Sequence, residues 1–264
     1  MLPLIAVFFS VGLILQLIFA DGAMAWGPGV HMLAAYHCLA TAHDFLPSIG
    51  KVIMLHPMAY FYGSLAADFF IGKGKATHHP HDWTGGGRIL AEAKNDQELA
   101  YAYGFLSHLA ADVVAHNFFI PALAKSHPPK RAGHVYWEVR ADYAVGPAYT
   151  MVAKQVLRLD HLACDDFLKQ ATGKCTRGLK TKKKIYTRSV SFSHYLYENH
   201  SGLFMGRMSR DPLLVRHLAF MVNLSCVASS GFLKNPGASP CLLHHPLGVG
   251  PWGERRKRFR AFFS

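Results

Sequence analysis

Acidic residues are scarce in this 264-residue chain: 16 Asp and Glu stand against 28 Lys and Arg, a formal net charge of +12. That balance excludes an acidic surface and directs attention to anionic partners such as lipid headgroups or polyphosphates. Cysteine is sparse as well. The five, Cys38, Cys164, Cys175, Cys226 and Cys241, contain no Cys-x-x-Cys pair, which argues against a thiolate zinc site. Their odd number leaves at least one thiol free, although Cys164 and Cys175 stand close enough in sequence to close a short loop in an oxidising compartment. Strict alternation of apolar and polar residues, the mark of a half-buried strand, is nearly missing, and no internal repeat is present, so sheet and solenoid architectures drop out.

Apolar residues are abundant. They make up 51% of the chain, which at this length is enough to bury one sizeable core and excludes disorder. Part of the excess is local. From Ile5 to Ala20 only Ser10, Gly12 and Gln16 interrupt the apolar run, and Ala23-Met24-Ala25 follows as a small-residue cleavage site. Residues 1–25 therefore read as a secretory signal peptide, without the usual basic residue ahead of it, and the expected destination is periplasmic or secreted. An uncleaved N-terminal anchor is the other reading, its apolar length being marginal for a full bilayer crossing.

Past this segment the spacing of apolar residues is helical. His31 to Phe45 forms one run stopped near Pro47, Met54 to Phe70 a second, and Glu92 to Ala124 one or two long helices broken near Asn95. Gly133 to Tyr143 fits another helix closed by Gly146-Pro147, and Tyr149 to Gln170 is amphipathic. Cys175 to Lys184 reads as a polar linker, residues 72–87 as a loop, and the chain from Leu213 onward is irregular. The expected fold class is all-α.

Three short stretches carry chemistry: Trp26-Gly-Pro-Gly-Val-His31, His108-Leu-Ala-Ala-Asp112-Val-Val-Ala-His116 and His134-Val-Tyr-Trp-Glu138. Residues four apart on a helix project from one slowly rotating face, so each of the last two stretches can offer a metal its imidazoles and carboxylate with little ordering cost. A single such pair is ordinarily a polar contact. Here His108, Asp112 and His116 lie in a strongly apolar helix, where ionisable groups need partners, and a metal is such a partner. Asp68 stands at the end of another apolar helix, followed by the loop histidines His78, His79 and His81. Cleavage before Trp26 would free its amine, which with its carbonyl oxygen can chelate a metal.

This pattern resembles the zinc-dependent phospholipases C and the S1/P1 nucleases, helical secreted enzymes holding three zinc ions. In that superfamily the mature chain starts at a zinc-binding Trp, which implies Trp26. The spacing from Trp26 to His31 is most similar to the nuclease branch, and Glu138 to the phospholipases. The gap from Asp112 to His116 is shorter than in either, which turns His116 by about 200° on an ideal helix, and is more similar to the zinc domain of glycosylphosphatidylinositol-specific phospholipase D. The resemblance covers about residues 26–145. It implies a multi-helix domain with a zinc-binding core over 26–145 and a C-terminal helical part with a basic tail over 146–264. Up to three zinc ions are implied: one on Trp26, His31 and Asp112, a second on Asp68, His81, His108 and Asp112, and a third on His116, His134 and Glu138. Among the loop histidines His81 is favoured, because it precedes Asp82-Trp83 as the family histidine precedes an aromatic; His79 is next.

The expected activity is phosphodiester hydrolysis by a zinc-activated hydroxide, with Asp68 orienting it or acting as base, on phospholipids or related phosphodiesters. A nuclease is the enzymatic alternative, making nucleic acid an alternative substrate. A non-catalytic, membrane-anchored helical protein with a structural metal cluster is the alternative from another class. Two basic runs, Lys180 to Lys184 and Arg255 to Arg260, are read as solvated surface; the second, interleaved with Phe259, Phe262 and Phe263, would suit peripheral membrane contact.

Overall fold

The computed structural model describes residues 26–70, 80–122, 132–173, 178–205 and 212–248. The expected signal peptide, His78, His79, Cys175 and the basic C-terminal run lie outside these. Every regular element among the described residues is helical: α1 (Pro28–Ala40), α2 (Pro47–Leu55), α3 (Pro57–Ala66), α4 (Trp83–Glu92), α5 (Asp96–Val114), α6 (Ala132–Val145), α7 (Pro147–Val156), α8 (Leu162–Thr172), α9 (Leu179–Met205) and α10 (Pro212–Lys234). Proline is the first residue of α1, α2, α3, α7 and α10. Its fixed φ suits the first helical position, where an N–H has no intrahelical acceptor anyway. Pro47 and Pro147 thus open helices as much as they close the preceding ones.

α5 is the central rod. It is buried almost continuously from Ala100 to Val114, with α3 and α10 as its principal neighbours and α1, α2 and α4 completing its surround. Its start is capped: the Asn95 side chain accepts from Glu98 N at 2.9 Å while the Glu98 carboxylate accepts from Lys94 N at 2.7 Å. A cap of this kind is worth about 1 kcal/mol and explains the break between α4 and α5. At its other end α5 loosens into a single π-helical turn, Ala115–Phe119.

Three segments depart from the sequence expectation. The lysine-rich stretch is the first part of α9: Leu179, Tyr186, Val190 and His194 are buried at helical spacing, and Lys183 Nζ meets Asp165 Oδ2 at 2.6 Å. Lysine is a good helix former, and the flanking charges masked this buried stripe. The stretch beginning at Leu213 is the 23-residue α10, which places Ser225 and Ser229 in the core; apolar residues on its outer side, such as Phe220 and Val227, blur its period. Its length and hydropathy would suit a membrane span, but half of its most apolar window is buried inside the protein. The glycine-rich end of the 72–87 loop enters α4, started by Asp82, whose side chain accepts from Gly85 N at 2.7 Å. Cys38, Cys164, Cys226 and Cys241 are buried free thiols, and Cys175, the other end of the suggested closure, lies outside the described residues.

Candidate metal centre

α5 presents His108 and Asp112 one turn apart, with His108 Nε2 3.3 Å from Asp112 Oδ2. α1 brings His31, whose ring stacks on His108 at 3.7 Å and whose Nε2 lies 3.4 Å from Asp112 Oδ1. The 3₁₀ turn Ala67–Phe69 after α3 supplies Asp68, Oδ1 3.7 Å from His108 Nε2. His81, just ahead of α4, sets its Nε2 2.6 Å from Asp112 Oδ2. All five side chains are buried.

The approach that permits this is backbone on backbone. Gly63 of α3 and Gly104 of α5 face each other so closely that a Cβ at Gly63 would lie 2.0 Å from Tyr101 O, and one at Gly104 2.0 Å from Tyr60 O. The close crossing lets His108 Nδ1 donate to Ser64 O at 2.7 Å, while His81 Nδ1 donates to Ala67 O at 3.1 Å. Each bond fixes the tautomer and turns Nε2 inward as a lone-pair donor, the usual outer support of a metal-ligating histidine.

The fit to a cation is shown by what the protein leaves unsatisfied. Both ring nitrogens of His31, Nε2 of His108 and Oδ1 of Asp112 are buried without a hydrogen bond. Each such atom costs about 1–3 kcal/mol if nothing occupies it, so four in one cluster point to a missing partner. Two sets of donor atoms, His31/Asp68/His108 and His81/His108/Asp112, each lie mutually within 4.8 Å. Ligands about 2.1 Å from a tetrahedral zinc stand ~3.4 Å apart. The separations of 3.3, 3.4 and 3.7 Å around His108 and Asp112 bracket that value; the His81–Asp112 pair, at 2.6 Å, lies closer.

Protonation states agree. Burial, and then the nearby His108, lower the pKa of His31, keeping its imidazole neutral as ligation requires. For Asp112 burial is the largest single influence and acts upward, yet the charge of His108 and the close polar contacts with His108, His31 and His81 together hold the carboxyl well below its ordinary range. The centre thus offers the neutral imidazole of His31 and the ionised carboxylate of Asp112, donors zinc accepts readily.

Of the sequence-derived residues, His31, Asp68, His81, His108 and Asp112 meet in this one cluster, and His108 belongs to both sets. The Trp26 indole is buried beside them. Its Nε1 donates to Ala111 O at 3.2 Å and Ser225 Oγ at 2.9 Å, and its ring stacks on Phe119. His116 is buried in the π turn and belongs to neither set. His134 and Glu138 lie on α6, but their side chains are outside the described residues.

Two residues escaped the sequence reading. Tyr186 of α9 is fully buried and its hydroxyl donates to Asp68 Oδ2 at 3.4 Å. Asp142, one turn beyond Glu138 on α6, is buried and its Oδ1 accepts from Val30 N at 3.0 Å. Burial pushes the Asp142 carboxyl up to about 7 against the pull of the Gly29 and Val30 amides. The continued four-residue step from His134 through Glu138 was a signal for Asp142; nothing local marked Tyr186, which stands beyond a run of lysines.

The sequence matches the family described as zinc dependent phospholipase C over residues 30–202, two-thirds of the chain. No curated protein and no solved structure matches it.

Proposed function

The chain belongs to the zinc-dependent phospholipase C family, and we propose that it is an exported enzyme hydrolysing the phosphodiester bond of phospholipids at the buried histidine and aspartate cluster. The observation that carries this reading is the set of unsatisfied donor atoms on His31, His108 and Asp112, spaced as a zinc shell requires. His31, Asp68, His81, His108 and Asp112 would hold two ions, with Trp26 contributing its freed amine and carbonyl after signal cleavage. His116, His134 and Glu138 are assigned to a third.

When bound, zinc supplies a water of near-neutral pKa and positive charge beside the phosphoryl oxygens. The chain itself supplies orientation. The carbonyls of Ser64 and Ala67 hold two imidazoles in the ligating tautomer, and the buried surround excludes bulk water. Asp68 directs one oxygen toward His108 and the other toward the Tyr186 hydroxyl. In this reading Asp68 orients the attacking water and takes its proton. The positive net charge draws anionic substrate inward.

The test is elemental analysis of protein exported through its own leader, with its N-terminus sequenced, followed by assay on phosphatidylcholine vesicles and on single-stranded DNA. Two to three zinc ions, a chain starting at Trp26 and release of phosphocholine are expected. Cleavage of DNA with intact lipid would move the assignment to the nuclease branch. A zinc-free chain starting at Met1 would overturn the enzyme reading in favour of a structural membrane protein.

A further inference from the structure

The turn that leads into α1 is shaped around a carboxylate. A Cβ at Gly27 would sit 2.4 to 2.6 Å from the carboxylate atoms of Asp142, and one at Gly29 would sit 3.0 Å from Asp142 Oδ1 and 2.9 Å from Thr150 Cγ2. Neither clash reflects an unusual backbone at Gly27, whose φ of −77° and ψ of 172° any residue adopts. The glycines are required by what fills the space. Asp142 Oδ1 accepts the amide of Val30 at 3.0 Å, a bond that spans 112 residues, and the carboxyl group lies at the positive end of the α1 dipole.

This contact joins the elements that carry the metal donors. Val30 immediately precedes His31, and Gly27 immediately follows Trp26, so the carboxylate grips the chain on both sides of the residues expected to ligate. Asp142 itself belongs to neither set of converging donor atoms. It stands on α6, two turns after His134 and one after Glu138. We propose that Asp142 is a positioning residue that seats the Trp26-Gly-Pro-Gly turn, and so delivers Trp26 and His31 to the metal while tying them to the helix assigned to the third ion.

The inference rests on the metal-centre reading above and goes beyond it, because it names a group outside both donor sets of the described residues that sets zinc affinity. Outer partners of metal ligands commonly change affinity 10- to 100-fold when lost. In D142A the turn loses its anchor. In D142N the amide oxygen still accepts the Val30 N–H, so the seat largely persists. G27A leaves the carboxylate intact but drives a methyl group into it. In the double variant the clash disappears because the carboxylate is gone.

The experiment is zinc titration of the full-length exported protein and its variants after chelator stripping, read by competition with a chromogenic chelator, with thermal unfolding of the metal-free forms alongside. One zinc should bind about 10- to 100-fold more weakly in D142A and G27A, and within about threefold of wild type in D142N. The double variant G27A/D142A should be no weaker than D142A, the non-additivity expected of two residues in contact. A D142A protein that binds zinc like wild type and only melts earlier would overturn the inference, leaving an ordinary helix cap. Wild-type affinity in G27A would do the same, and G27A and D142N supply the reading if D142A fails to fold. Wild-type protein that takes up no zinc would instead overturn the metal-centre reading on which the inference stands.

Discussion

Gly104→Ala changes one hydrogen into a methyl group more than a full helical turn from any proposed ligand, yet it should damage the metal centre. The new Cβ would lie 2.0 Å from Tyr60 O and 2.9 Å from Ser64 N, both backbone atoms that cannot swing away. Restoring an ordinary contact of 3.4 Å requires α3 and α5 to part by about 1.4 Å at that level. The bonds on either side do not survive such a shift: Tyr60 Oη to Ser107 Oγ is 3.1 Å and His108 Nδ1 to Ser64 O is 2.7 Å. Overpacking costs about 1–3 kcal/mol and a buried group left unpaired about 1–3 kcal/mol more, against a gain of ~1 kcal/mol from alanine's helix propensity. The net is a loss of roughly 1–5 kcal/mol, which for a domain of this size lowers the melting temperature by about 2–20 °C.

The assay is thermal unfolding of the chelated protein, paired with a zinc affinity measurement, because loss of the Ser64 bond frees the His108 tautomer. Gly87→Ala is the control. Gly87 lies in α4 with nothing within 4 Å of its would-be Cβ, so the same substitution there should stabilise by about 0.4–1 kcal/mol. A Gly104→Ala protein that melts at or above wild type, with unchanged zinc affinity, would refute the reasoning that this crossing holds His108 in place.

Other outcomes are expected. Asp112→Asn should remove two zinc ions and abolish hydrolysis, because both oxygens face histidines of the cluster; elemental analysis showing full zinc content in the variant would contradict this. Retaining a methionine ahead of Trp26 should cost one zinc ion, read by the same measurement, since the added residue removes the free amine. In the metal-free protein, His31 has a folded pKa below its ordinary 6.5. The unfolded chain therefore takes up the proton first, and stability should fall as pH drops below that value. Asp142, raised to about 7, works in the opposite sense between the unfolded carboxylate value and pH 7, where rising pH costs stability. Denaturant midpoints for wild type and His31→Ala across pH 5 to 8 separate the two, and the acid-side loss should shrink in the variant.

Much of the centre was legible because its donors obey helical arithmetic within short segments. His108 and Asp112 are one turn apart on α5, and an apolar helix that buries both must pair them with something. His81 was separable from His78 and His79 only by the family resemblance carried by Asp82-Trp83; in the structure Asp82 starts α4 and so fixes His81 at the helix entrance. Tyr186 was not legible. Its contact with Asp68 spans 118 residues and depends on how α9 lies against the 3₁₀ turn. α10 was obscured for a related reason, since a helix with apolar residues on both sides has no clear period even when its inner side is core.

The sequence by itself determined the all-helical class, through apolar spacing, and singled out candidate metal donors, His108 and Asp112 by their four-residue step and His31, Asp68 and His81 by the family resemblance. These are local properties, decided within a few turns of chain. Tertiary structure alone decided that Gly63 and Gly104 would meet, that two backbone carbonyls would orient His108 and His81, and that Asp142 would close on a glycine turn 112 residues away. Each of these depends on the distance between helices, to within about an ångström, and side-chain periodicity within one helix carries no information about its separation from another.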